Sequence, residues 1–183
     1  MKVVCDRAAL LEAVNLISGA VATRTPRQQL TCVKLAAEKK GKGGTLSLSA
    51  TDSEISLHLL VDQVDIEDPG EALIPADKLR QIVSAESDEP TLTLEADGDT
   101  IEIRGEDAHF KIYGYPPEDF PPITDFKAAV TGQGGGPAAK VVFAHPAASL
   151  SELITRTLFA TARETTRYAI NGVLLNREGK KLE

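Results

Sequence analysis

The chain has 183 residues, of which 42% are hydrophobic and only 4% aromatic, with no tryptophan. This composition indicates a globular protein with an aliphatic core. The formal net charge of −7 argues against tight DNA binding through charge alone, because affinity for phosphate comes from lysine and arginine. An acidic protein can still act on DNA if its basic residues cluster on one face, or if it holds DNA by topology.

The N-terminal segment does not resemble a secretory signal. Asp6, Arg7 and Glu12 interrupt the apolar stretch that a signal peptide needs. No apolar run approaches the length of about 20 residues that spans a bilayer. Cys5 and Cys32 lie far apart in apolar segments without a CxxC partner, so we expect reduced, buried thiols. We therefore expect a cytoplasmic protein.

The hydrophobic pattern predicts an α+β fold in residues 1–113. A strand at 1–5 leads to Asp6, a helix N-cap, and apolar residues then recur at helical spacing up to Ser18. A second helix follows Pro75, with Leu79, Ile82 and Val83 on its apolar face. Alternating apolar residues predict further strands at 30–37, 45–50, 55–60, 70–75, 91–95, 100–104 and 109–113. We expect the two helices to pack on antiparallel sheets.

The pattern of elements restarts after a segment rich in proline and glycine. Residues 141–143 predict a strand, 146–162 a helix and 169–176 another strand. A shift of 140 residues aligns apolar and charged positions of the two parts: Arg27 with Arg167, Leu30 with Ile170, Val33 with Val173, Leu35 with Leu175 and Glu38 with Glu178. This tandem repeat predicts a first domain at 1–125, a linker at 126–140 and the start of a second domain at 141–183. Because the second part lacks most of its strands, we expect the chain to be a truncated part of a longer protein.

The sequence contains no catalytic constellation. His58, His109 and His145 lack the spacing of metal ligands, and no glycine-rich stretch ends in the GK[ST] sequence that holds phosphate. Asp52 and Glu54 share a strand face, but a solvated sheet edge explains them better than a metal site, since no third ligand is evident. We therefore predict neither an enzyme nor a cofactor or metal.

Two basic loops and one apolar strand remain as candidate binding features. Arg24 and Arg27 lie in the loop after the first helix, and Arg163 and Arg167 occupy the corresponding loop of the repeat. Solubility explains any single arginine, but matching loops would place positive charge along one edge of a tandem array. Phe110 and Ile112 alternate on the last strand of the first domain. They either pack in the core or form an edge that pairs with another subunit.

Several stretches together resemble the bacterial β sliding clamp family, in the same order and at similar spacing. They are the start at 1–11, the stop at Ser18-Gly19, the ATDSE stretch at 50–54, the IPADKL stretch at 74–79, the DFP stretch at 119–121 and the RYAING stretch at 167–172. The resemblance covers nearly the whole chain. It implies three clamp-fold domains per subunit and a head-to-tail homodimer that closes as a ring around duplex DNA. It further implies that the ring tethers the replicative polymerase after a clamp loader has placed it on DNA.

The resemblance also suggests roles for individual residues. Arg24 matches a DNA-touching arginine, and Arg27 lies in the same loop. In the second domain Glu164 stands where a polar DNA contact is expected, so Arg163 beside it is the candidate. Lys78, Ile82, Phe110 and Ile112 match positions of the ring-closing interface. Arg167 and Ile170 match the rim and wall of the pocket that binds the short motifs of partner proteins.

Two other interpretations fit the sequence. One is a small α+β protein-interaction module without a role in DNA metabolism, which burial of Phe110 and Ile112 inside the domain would favour. The other is an enzyme with a carboxylate-bound metal at Asp52 and Glu54.

Overall fold

The computed structural model describes residues 1–40, 43–123, 130–131, 143–162, 172–179 and 181–183. The chain divides into two compact units, Met1–Ile123 and Thr124–Glu183. The predicted linker at 126–140 lies mostly outside the described residues, so the predicted domain boundaries stay predictions.

The first unit contains nine strands and two helices among its described residues. In chain order they are β1 (Lys2–Asp6), α1 (Arg7–Ile17), β2 (Cys32–Lys40), β3 (Gly43–Thr51), β4 (Ser56–Val61), β5 (Val64–Asp68), β6 (Gly70–Pro75), α2 (Ala76–Ala85), β7 (Thr91–Asp97), β8 (Thr100–Arg104) and β9 (His109–Tyr113). Short 3-10 turns lie at Ser18–Ala20, Gln28–Thr31 and Pro117–Asp119.

The structure differs from the predicted elements at two places in this unit. β5 was not predicted, because its five residues include three carboxylates and only Ile66 among them is buried. The strand predicted at 30–37 begins later, at Cys32, because Gln28–Thr31 forms a 3-10 turn whose Leu30 is buried. Both helices and the other predicted strands are confirmed within a few residues.

The strands form two antiparallel sheets. One has the order β5-β1-β7-β8-β9 and the other the order β4-β3-β2-β6. β7 and β8 form a hairpin: Asp97 pairs with Thr100, and Gly98 in the turn has φ +56°, which glycine adopts without steric cost. A single bridge between Leu73 and Tyr115 connects the end of the five-stranded sheet to β6.

Local sequence signals define both helices. The Asp6 carboxylate accepts a hydrogen bond of 2.8 Å from the Ala9 amide and caps α1 as predicted. The helix buries Leu10, Ala13, Val14 and Ile17. α2 begins after Pro75 and buries Ala76, Leu79, Ile82 and Val83. The two helices contact each other, and Arg7 of α1 donates a hydrogen bond of 3.3 Å to the Val83 carbonyl of α2.

The core is one cluster of aliphatic side chains from both sheets and both helices, as the composition predicts. Its largest fully buried members are Leu10, Ile17, Leu35, Leu46, Leu48, Ile74, Leu79, Leu92, Leu94, Ile101 and Ile103. The α+β fold with two helices on antiparallel sheets is therefore confirmed for this unit.

Both cysteines are free and buried, as predicted. Burial raises the pKa of the Cys5 thiol to about 12 and that of Cys32 to about 11. Both groups are therefore protonated at neutral pH, and a protonated thiol is a poor nucleophile.

In the second unit the described residues include α3 (Ala147–Leu158), β10 (Arg177–Glu178) and β11 (Lys181–Leu182). The helix predicted at 146–162 is confirmed, although it ends at Leu158. The strand predicted at 169–176 is wrong over its described part, residues 172–176, because Asn176 alone among these residues pairs with a described segment, through two backbone hydrogen bonds of 2.8 Å with Glu183; Leu174 is 86% exposed. Phe143 also lies outside any strand, while 141–142 lie outside the described residues.

Candidate nucleic-acid interface and subunit edge

Charge in the first unit is separated between the helical layer and the sheets. We call residues 7–31 and 76–85, which contain both helices and the loop after α1, the helical face. The helical face carries five basic and two acidic side chains, whereas the rest of residues 1–123 carries seven basic and twenty acidic ones. An acidic unit thus has one basic face, which is the condition under which an acidic protein can approach DNA.

Five basic side chains of the sheets are already engaged. Lys2 pairs with Glu67 at 2.8 Å, Lys34 pairs with Glu71 at 2.9 Å, and Arg104 pairs with Glu102. Lys39 donates to the Glu67 carbonyl at 2.8 Å, and the Lys111 ammonium lies 5.8 Å from the centre of the Tyr113 ring. These contacts neutralise or occupy the five cations, so they leave little of their positive charge for an external anion.

Four cations of the helical face, by contrast, have no side-chain partner within the described residues. They are Arg24, Arg27, Lys78 and Arg80, and all four are exposed. An exposed guanidinium or ammonium without a carboxylate neighbour keeps its full charge for an external anion. The helical face is therefore the part of this unit best suited to phosphate groups.

The loop that carries Arg24 and Arg27 is held in place by its backbone. The Ala22 amide donates to the Leu30 carbonyl at 3.0 Å, and the Leu30 amide donates to the Arg27 carbonyl at 3.1 Å. The Thr25 hydroxyl accepts a hydrogen bond of 3.1 Å from the Arg27 amide. Because Leu30 is buried, the loop is anchored at its end while both arginine side chains remain exposed.

β9 is the terminal strand of the five-stranded sheet, as the edge-strand interpretation requires. Phe110 lies opposite Ile103 and Ile112 lies opposite Ile101 on β8. Both side chains pack against the core and are only partly buried. They thus contact the core and also leave apolar surface at a sheet edge, and the pairing of this edge with another subunit stays a prediction.

The two other predicted interface residues lie on α2. Lys78 is exposed and lines a cleft together with Ile112 of β9, Tyr113 and Tyr115. Ile82 is only 8% exposed and belongs to the core cluster. Lys78 and Ile112 are therefore neighbours on one surface, whereas Ile82 lies mostly beneath it.

The remaining candidate residues belong to the second unit. Arg163, Glu164, Arg167 and Ile170 lie outside the described residues. Their proposed roles in DNA contact and in the partner pocket stay predictions.

Asp52 has a structural role in the turn between β3 and β4. Its carboxylate accepts hydrogen bonds from the amides of Glu54 at 2.8 Å and Ile55 at 2.7 Å. These bonds favour the ionised carboxylate and lower the pKa of Asp52 below its ordinary value of 3.8. Within the described residues, no three side chains of metal-ligand type lie together.

None of the helices in the described ranges is long and apolar enough to cross a membrane.

Arg80 and its neighbours were not among the binding residues predicted from the sequence. Asn15 of α1 and Arg80, Gln81 and Ser84 of α2 line a shallow exposed groove between the helices. The signal was present in the sequence, because positions 80, 81 and 84 lie opposite the apolar stripe of α2. The packing of α1 beside α2 is what brings Asn15 next to these three positions.

The matched family connects this geometry to known proteins. The family model of the DNA polymerase III beta subunit, N-terminal domain, matches residues 1–124. The chain belongs to this family. The resemblance to the bacterial β sliding clamp, first noted from short stretches of sequence, is thereby confirmed.

Curated clamps match along the whole chain. The beta sliding clamp of Escherichia coli strain K12 is 28% identical over 182 residues, which are 100% of this chain and 46% of that protein. The beta sliding clamp of Pseudomonas aeruginosa is 30% identical over 177 residues, 97% of this chain and 44% of that protein. A crystal structure of the Pseudomonas aeruginosa clamp bound to griselimycin has a TM-score of 0.83 at 30% identity and covers all of this chain and 45% of its own. The chain thus spans slightly less than half the length of these clamps.

Proposed function

We propose that this chain is the N-terminal part of a sliding clamp, a processivity factor that encircles duplex DNA as a ring-shaped dimer during replication. The match of residues 1–124 to the family carries this proposal. Residues 1–125 would form the first clamp domain, 126–140 the linker and 141–183 the start of a second clamp domain. The whole protein would have no catalytic activity and would act in the cytoplasm.

The separation of charge supports a DNA-facing role for the helical face. Arg24 and Arg27 would contact the phosphate backbone from this unit, and Arg163 would do so from the second. A ring that is held on DNA by topology needs only weak, screened contacts, since tight binding would oppose sliding. The acidic sheets would keep the outer surface of the ring away from DNA.

The edge at β9 supports a role in ring closure. Phe110 and Ile112 would supply apolar contact, and Lys78 would pair with an acidic group of the neighbouring subunit. Ile82 has little exposed surface, so it would act mainly by holding α2 against the core. A head-to-tail contact of this kind generates a closed ring when its rotation closes on itself.

The partner proteins are proposed from the family alone. Arg167 and Ile170 would belong to the pocket that binds short motifs of the replicative polymerase catalytic subunit and of the clamp loader. A peptide carrying such a motif should bind the whole protein and lose affinity after Arg167→Ala.

Ring closure can be tested by sedimentation of the whole protein. We expect a dimer that Ile112→Asp converts to a monomer, because a carboxylate at the apolar edge would be desolvated without a partner. Lys78→Glu, an exposed change that leaves the core intact, should weaken the same dimer. Ile55→Asp, at an exposed apolar position on the turn between β3 and β4, is the matched control and should leave the dimer unchanged. A dimer that tolerates both Ile112→Asp and Lys78→Glu would contradict the proposed edge.

A further inference from the structure

His109 is the first residue of β9, the strand proposed for ring closure, and its side chain is 55% exposed. Its Nε2 atom lies 3.1 Å from the Oε2 atom of Glu102 on β8. The same carboxylate oxygen also accepts a hydrogen bond from Arg104. Because Glu102 is already paired with a permanent cation, a proton taken up by His109 adds a positive charge to this edge that Glu102 balances only in part.

The charged groups around His109 come from β7, β8, β9 and the turn between the last two strands. They are Glu95, Glu102, Arg104, Glu106, Asp107 and Lys111. Hydrogen bonds from Arg104 and His109 lower the pKa of Glu102 below its ordinary value of 4.5, so this carboxylate stays ionised near neutral pH. Carboxylates, guanidinium groups and ammonium groups keep their charge between about pH 6 and about pH 8. Among these described groups, a histidine is the one whose charge changes in that range.

The opposite end of the unit shows what kind of edge would meet β9, since a head-to-tail contact joins unlike edges of a repeated fold. There the terminal strand β4 lies beside α1, and the two form a groove lined in part by Leu16, Leu59 and Leu60. The charged residues of this groove, Glu12 and Asp62, are both acidic and both exposed. An edge of this type on the neighbouring subunit would offer apolar surface and carboxylates to β9.

From this arrangement, and resting on the proposed ring closure, we infer that His109 makes the association of subunits depend on pH, with tighter closure when its imidazole is protonated. Protonated His109 and Lys111 would then both lie close to carboxylates of the neighbouring edge. Association is accompanied by proton uptake, so the dissociation constant of the dimer falls as the pH falls through the range in which histidine gains its charge.

Dilution of the whole protein between about pH 8 and about pH 6, followed by energy transfer between labelled subunits, tests this inference. The dissociation constant should fall about fivefold over this range, because a dimeric ring closes at both of its contacts and one exposed ion pair changes each by about twofold. His109→Gln should hold the constant at its high-pH value throughout. His109→Arg should hold it at the low-pH value, since a guanidinium keeps its charge.

His145→Gln is the matched control, because His145 belongs to the second unit and its Nε2 atom lies 3.2 Å from the Ser149 hydroxyl. It should keep the pH dependence of the unmodified protein. A pH dependence that persists in His109→Gln would overturn the inference, as would a dissociation constant that stays level or rises as the pH falls. Neither result would contradict the proposed dimer, which Ile112→Asp and Lys78→Glu test separately. A whole protein that is monomeric at every pH would overturn both.

Discussion

Gly114 lies directly against the backbone of Leu73, where the end of the five-stranded sheet meets β6. A Cβ atom at position 114 would lie 2.1 Å from the Leu73 carbonyl oxygen and 2.7 Å from the Ile101 Cδ1 atom. The next amide, that of Tyr115, donates to the same Leu73 carbonyl at 3.0 Å. Absence of a side chain at Gly114 is therefore what permits the two sheets to connect at this corner.

Gly114→Ala should destabilise the protein strongly. The nearest atom to the added methyl group is a backbone oxygen, which cannot move aside as a flexible side chain can. We expect a loss of about 3 kcal/mol in the free energy of unfolding, the upper part of the usual range for overpacking. Gly19→Ala is the control, because a Cβ there meets no atom within 4 Å. Urea unfolding of the two variants should give clearly different midpoints, and equal midpoints would contradict this account of the corner.

Asp6→Ala should weaken the start of α1. The carboxylate of Asp6 satisfies the Ala9 amide at 2.8 Å, and loss of such a cap costs about 1 kcal/mol. Asp6→Asn keeps an acceptor oxygen at the same position and should retain most of the stability. The measurement is the urea midpoint of each variant. Equal destabilisation by alanine and asparagine would show that the side-chain cap contributes nothing.

Asp52→Asn should change how stability depends on pH. The amides of Ile55 and Glu54 depress the pKa of Asp52 in the folded state, so the ionised carboxylate stabilises the fold above its unfolded value of 3.8. This stability is lost as the pH falls through the lower folded value. Asparagine accepts the same hydrogen bonds without ionising, so the unmodified chain should lose stability relative to Asp52→Asn as the pH falls below 3.8. A difference between the two proteins that stays constant with pH would contradict the role given to this carboxylate.

Cap residues and apolar spacing predicted those helices and strands whose defining residues lie within a few positions of one another in the chain. Asp6 was identified as the cap of α1, and the apolar spacing of α2 was read correctly from Leu79, Ile82 and Val83. β5 was missed because its sequence is mostly acidic, and only pairing with β1 makes it a strand. Propensity could not reveal this, since the pairing joins residues far apart in the chain.

The candidate site was also predicted only in part, because its residues come from segments that are distant in sequence and meet through packing. Arg24 and Arg27 are close in sequence and were found as a basic loop. Arg80 is distant from them in sequence and was found only when α1 and α2 were seen side by side. Ile82 shows the opposite case: the family position suggested a surface residue, while its apolar environment places it 8% exposed in the core cluster.

Retention of the whole protein on nicked circular DNA tests the central claim most directly. The protein would be loaded onto nicked circles by a clamp loader, separated from free protein by gel filtration, and followed after the circles are linearised. A sliding clamp should remain on the circles and leave the linear molecules through their ends. Equal retention on circular and linear DNA would contradict encirclement.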